Sequence, residues 1–336
     1  MPLSTIGDMR QHFMTGRANT ALKTDLQTLV QELTTGEKAD LTAHLGASQA
    51  ELTSVDRQLA LLDRFAQSNQ QTSLLLSQMQ VTLEGVSDQR DTASAVLLSV
   101  NSSSDLSEIG NAAQVAEDGF TATVQMLNSR SGDRSMFAGR DLGSNALAPA
   151  EDMLAALRGA TAGLSDAPSV EAAVAAWFDA PGGGFETTGY LADAGAPLTR
   201  AIDGTQSVEI AARADDQALR DTMKAFALGA LAADPALGIS TADRQALQRS
   251  AGEGLLTVAT PLAHLQTQIG YAEGRVEEAS VRIAAQQSSF GIARNDLVSA
   301  DPFETATRLQ EVQQQLDTHY TLTARLSRLT LTEYLR

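Results

Sequence analysis

The stretch "LLTVATPLAHLQTQIGYAEGRVEEASVRIAAQQSSFGIARNDL", Leu255 to Leu297, decides the fold. Leu255, Val258, Leu262, Leu265, Ile269, Ala272, Val276, Ala279, Ile283, Gln286, Phe290, Ala293 and Leu297 follow one another in steps of three and four, and only Gln286 is polar. That period puts all of them on one narrow helix face, and such a face needs another helix beside it. A second long pattern lies upstream. From about 47 to 100, Val55, Leu62, Leu76, Leu83 and Leu97 hold one heptad position, and Phe65, Met79, Val86, Ala93 and Val100 hold its companion. Asn69 and Arg90 interrupt it. At 1.5 Å per residue a helix of that length extends about 75 Å.

Shorter helices flank the two long ones. Residues 3 to 35 place Ile6, Met9 and Phe13, then Leu22, Leu26, Leu29 and Leu33, on one expected stripe that Gly36 closes. After the cap residues of "NSSSD" (Asn101 to Asp105), helical spacing runs from 106 to 130. Asp301 as cap, Pro302 in the first turn and Glu304 start a last helix. It ends in "TLTARLSRLTLTEYLR", where Leu322, Leu326 and Leu329 share a face.

Between the long patterns, from Ser131 to about Arg213, Gly, Pro, Asp and Ala dominate. Short strands are expected at Phe185 to Leu191, Leu198 to Ile202 and Ser207 to Ala211, with helices near 151–158 and 169–178. The expected fold is mainly α: long antiparallel helices in a rod-like coiled-coil bundle, an inserted small α+β domain, and terminal helices that pair on assembly. The expected boundaries are an N-terminal axial helix at 1–45, long-helix core at 46–139 and 214–298, an inserted outer domain at 140–213, and a C-terminal axial helix at 299–336. Two short terminal helices bury few side chains on their own, so partners from other subunits are expected to supply the missing contacts.

Composition excludes several function classes. A net charge of -17 disfavours nucleic acid, whose phosphates need clustered Lys and Arg. With no cysteine there is no disulfide, thiolate zinc site or Cys nucleophile. "MPLSTIGDMRQHFMTGR" holds no apolar run of secretory-signal length, so the chain is expected to be cytoplasmic or exported without a cleaved signal peptide.

His12, His44, His264 and His319 fall in no metal-binding spacing, and "APGGGF" (Ala180 to Phe185) lacks the GK[ST] of a phosphate loop and reads as a flexible turn. Asp215 with Asp216, and Asp301 with Glu304, read as solvated or capping carboxylates. Gly270 and Gly274 suggest close helix approach. Arg325, Arg328 and Arg336 beside Leu326 and Leu329 fit a protein partner better than a membrane surface. No enzyme, cofactor or metal is expected.

Three stretches carry a family resemblance. "LVQELTTGEK" (Leu29 to Lys38) resembles the turn that closes the N-terminal helix of the flagellin-like proteins of the bacterial flagellum. "RSMFAGRD" (Arg134 to Asp141) is similar to the Phe-Ala/Ser-Gly step at which the family's hook–filament junction members leave their helical core. "SADPFETATRLQEVQQQLDTHYTLTARLSRLTLTEYLR" (Ser299 to Arg336) resembles their closing helix and its tail, with Ala306, Leu309, Leu329, Leu331, Tyr334 and Leu335 in matching places. Glu37 to Ala50 departs from the stretch that follows this turn in flagellin itself.

The resemblance implies a structural adaptor in the extracellular flagellum, forming a homo-oligomeric ring between hook and filament. The implied partners are hook-associated protein 1, flagellin and an export chaperone on the C-terminal region. It also implies a partner interface at Leu22, Leu26, Leu29, Leu33, Leu309, Leu316, Tyr320, Leu322, Leu326, Leu329, Tyr334 and Leu335. A filament subunit, or a helical effector or translocator of another type III secretion system, are the alternatives.

Overall fold

The computed structural model describes residues 3–334 other than 142, 193, 194 and 196, and their side chains except at 3–8, 11, 12 and 326–334. The fold is mainly α, with long helices and, among the described residues, two small antiparallel hairpins. In chain order the helices are α1 (Leu3–Thr35), α2 (Leu41–Leu45), α3 (Gln49–Ser99), α4 (Leu106–Leu127), α5 (Ala150–Thr161) and α6 (Ala167–Asp179). Then come α7 (Gln217–Leu231), α8 (Thr241–Thr257), α9 (Ala259–Val298) and α10 (Pro302–Tyr334). The hairpins are β1 (Arg130–Ser131) with β2 (Arg134–Ser135), and β3 (Leu198–Ala201) with β4 (Ser207–Ile210). The chain divides into two units, one of residues 1–63 with 285–336 and one of residues 64–284.

In the unit of residues 64–284 the heptads do what their spacing dictates. Leu76, Met79, Leu83, Val86 and Leu97 of α3 are fully enclosed, as are Leu262, Ile269, Val276 and Ala279 of α9. The repeat read from Leu255 onward is divided between α8 and α9, with Val258 at the break. Pro261 explains the break: it has no N–H to give the Thr257 carbonyl and its ring crowds that carbonyl.

Helices α4 and α7 approach closely through small residues. The Phe226 ring occupies the place of a side chain at Gly119, where a Cβ would lie 2.4 Å from it. Ala116 does the same at Gly229, where a Cβ would lie 2.9 Å from the alanine methyl. One continuous core joins these helices to α5, α6 and the β3–β4 hairpin.

The segment after α4 leaves and rejoins the helices at one point. The Ala214 N–H donates to the Phe137 carbonyl at 2.9 Å, with Phe137 and Ala138 fully buried. Gly139 turns the chain there at φ +62°, in the left-handed region that glycine adopts without strain.

Three local expectations differ from the structure. Phe185–Gly189 is a single π-helical turn, not a strand, closed by Tyr190 N–H donating to Phe185 O at 2.6 Å. Of the glycines before it, Gly182 turns the chain at φ +71° in open space, whereas Gly183 and Gly184 are packed: a Cβ on Gly184 would lie 1.9 Å from Trp177 Nε1, so the backbone passes directly against the indole. Of the glycine pair in α9, Gly270 lies near Gln80 of α3, whereas Gly274 faces open space, so close approach does not account for it.

Asn69, which interrupts the α3 heptad, is fully buried and donates from Nδ2 to the Ile202 carbonyl at 3.0 Å. It ties the tip of the β3–β4 hairpin to α3. Arg282 of α9 holds the same tip through Asp203 at 3.1 Å and Gln206 at 3.3 Å. The Thr205 and Gln206 N–H groups, with Arg282 and the Thr205 hydroxyl, bring the Asp203 carboxyl from 3.8 down to about 2.

A carboxyl lowered on folding stabilises the fold above its ordinary value, and that contribution is lost as pH falls toward the lowered one. The Thr205 and Gln206 amides are therefore expected to lose exchange protection, relative to intrinsic rates, between about pH 4 and pH 2. Asp203→Asn should remove that loss, and an identical acid profile in the variant would contradict it.

Candidate assembly interface

In the unit of residues 1–63 and 285–336, α1 and α10 lie antiparallel. Gly36, at φ +73°, ends α1. The two chains then pair as a short bridge: Ala300 N–H donates to Gly36 O at 2.8 Å and Lys38 N–H to Val298 O at 2.9 Å. The Glu32 carboxylate, nearly buried, accepts from Ala39 N–H at 3.1 Å and from Lys38 Nζ at 3.4 Å.

Arg294 reaches Glu37 at 2.9 Å and Asp56 at 3.1 Å. The hydrogen bond that Arg294 donates to Glu37 raises the guanidinium pKa above its ordinary value, so it remains a fixed cation. Helices α3 and α9 run antiparallel beside this base, where Gln287 donates to Asp63 at 2.7 Å one heptad away from the Arg294–Asp56 pair. Asp301 caps α10 through the Phe303 and Glu304 N–H groups, in the role its position suggests.

Beyond the base the seam is a heptad on each helix. On α1 the half-buried positions include Thr15, Asn19, Leu22, Leu26 and Leu29; on α10 the shielded ones include Thr305, Ala306, Leu309, Val312, Leu316 and His319. Outward from Leu29 and from Leu309, the steps of three and four on one helix match those on the other. Leu29, Leu26 and Leu22 on α1 repeat the spacing of Leu309, Val312 and Leu316 on α10, and these residues supply the apolar layers of the seam. Lys23 Nζ sits 5.9 Å from the centre of the Tyr320 ring and flanks the outer end of these layers.

The expected interface residues therefore separate into groups. Leu22, Leu26, Leu29, Leu309 and Leu316 are brought together in the seam. Leu33, Tyr320 and Leu322 stay outside it, 43%, 47% and 52% exposed. The side chains of Leu326, Leu329 and Tyr334, and all of Leu335, lie outside the described residues.

Met9 and Phe13 do not share the stripe of Leu22. Nine residues separate Phe13 from Leu22, which is two and a half turns, so Phe13 lies on the opposite side of α1. It is 72% exposed. Val30 and Phe303 are further exposed apolar residues that sequence spacing did not single out, Phe303 at 83% because it sits in the first turn of α10. An arm with an apolar seam and apolar residues on its outside can associate with more helices. Among the described residues no group of three metal-binding side chains occurs, and no helix is long and apolar enough to cross a membrane.

Residues 255–335, which include all of α9 and α10, match the bacterial flagellin C-terminal helical region. No curated protein matches the chain. A solved structure from Vibrio parahaemolyticus, provisionally described as a flagellar hook-associated protein, is similar at 11% identity and a TM-score of 0.42, over 72% of this chain and 97% of that one. At that likeness no residue of one chain stands for a residue of the other. The match covers residues 255–335, less than half of the chain.

Proposed function

We propose that the chain joins hook to filament in the extracellular flagellum, the role of hook-associated protein 3. The observation that carries this reading is the arm itself: the flagellin-type C-terminal helix α10 pairs with α1 and leaves Phe13, Val30, Leu33 and Phe303 uncovered. Each such side chain, once buried, contributes about 1.5 to 3 kcal/mol, and neighbouring subunits would supply the cover. The Phe137–Ala138–Gly139 step and the tail sequence favour a junction subunit within the family.

In this reading 1–45 and 299–336 are the axial helices, 46–139 and 214–298 the long-helix core, and 140–213 the outward segment. Copies of the chain form the ring. Hook-associated protein 1 and flagellin are its neighbours on either side, and a chaperone holds the C-terminal region before export. A filament subunit is the second reading, favoured by the match to the flagellin C-terminal region.

Deleting the gene separates the two. Cells with hooks, no filaments and flagellin leaking into the medium are expected. Filaments absent without free flagellin in the medium would favour the filament subunit, and intact flagella would overturn both readings.

A further inference from the structure

Strand β4 has one edge that pairs with nothing. At the hairpin tip the Ile202 N–H donates to the Gln206 carbonyl at 3.0 Å, and from there Arg200 pairs with Val208 and Leu198 with Ile210. Bonding direction alternates along an antiparallel strand, so Ser207 and Glu209 aim their N–H and C=O groups away from β3. Both residues are exposed, and among the described residues no hydrogen bond takes those groups.

Beside this edge lies an open groove of about 610 Å³. Val208 and Glu209 line it from β4, and His264, Gln268, Tyr271 and Arg275, spaced by three and four along α9, line it from the helix. No residue of β3 does, so the groove lies on the side of β4 away from β3. Arg282 already ties the hairpin tip to α9, which fixes the two walls relative to each other. Arg275 is half-buried and, among the described residues, enters no ion pair, neither with Glu209 nor with any other carboxylate. Tyr271 is 70% exposed.

We infer that this groove binds an extended segment of a partner protein that carries a carboxylate side chain, laid along β4 as a third strand. Free strand groups call for an extended backbone, because only that form presents N–H and C=O groups at matching intervals. Arg275 calls for a carboxylate, which a guanidinium holds through two parallel N–H···O bonds. The Tyr271 ring offers an apolar face to the residue beside it. A second copy's β4 is a poor occupant, since pairing the two edges brings their Glu209 carboxylates close together. The inference uses only the unit of residues 64–284 and is independent of the flagellar role.

Random short peptides displayed on phage and panned against the full chain test it. Enriched sequences should carry Asp or Glu among apolar residues, and a synthetic copy should bind the chain in solution. Arg275→Gln should weaken that binding about tenfold, from the loss of a charged hydrogen bond. Glu209→Pro should weaken it at least as much, because it removes an outward N–H and no bond between β3 and β4. The same bonds are checked without altering the protein by N-methylating the peptide at odd or at even residues. One of these two peptides should bind about tenfold more weakly and the other nearly as before, since a strand turns alternate amides toward one edge. Enrichment of no acidic sequence, binding unchanged by Arg275→Gln or by Glu209→Pro, or equal binding of the two methylated peptides overturns the proposal.

Discussion

Phe226→Ala is expected to destabilise the unit of residues 64–284 by about 3 to 5 kcal/mol. The ring is fully buried and fills the notch that Gly119 leaves in α4, so its loss opens a cavity between two helices that approach through small residues. Neither backbone can close it, because Ala116 against Gly229 already holds α4 and α7 at their contact distance. Trp177, the only tryptophan, belongs to the same core and reports the transition. A urea midpoint within the error of the native chain would mean that α4 and α7 do not pack as described.

Phe13→Asp combined with Phe303→Asp is expected to abolish assembly while leaving the isolated chain folded. Both side chains are exposed, at 72% and 83%, so a carboxylate there changes little in the single chain. In an assembled structure the same carboxylates would be buried without partners, at several kcal/mol for each repeated contact. Incorporation into flagella should fall by about a hundredfold or more, with unchanged helicity and Trp177 emission in the purified protein. Normal incorporation of the double variant would show that this side of the arm meets nothing.

The helices were legible because heptad spacing is a property of the chain itself. The α3 and α9 repeats, the glycine after α1 and the Asp301 cap all stand where local rules put them. Asn69 was legible only as an interruption, since its partner is a carbonyl 133 residues away. The turn at Phe185 was misread as a strand because apolar residues beside glycines fit either form. What decides is the Trp177 indole against Gly184, a contact no spacing reveals.

In the candidate interface, leucine periodicity found Leu22, Leu26, Leu29, Leu309 and Leu316. It placed Met9 and Phe13 on the wrong face because they were grouped with Leu22 across an interval that is not a whole number of turns. Phe303 carried no periodic signal at all: a lone aromatic in a first turn is visible as an outward residue only when the cap before it is in place.

Immunogold labelling of intact flagella, using antibody raised against the purified chain, tests the junction role most directly. A single band of label between hook and filament is expected. Label along the whole filament, or flagella without label from cells that make the protein, would contradict it.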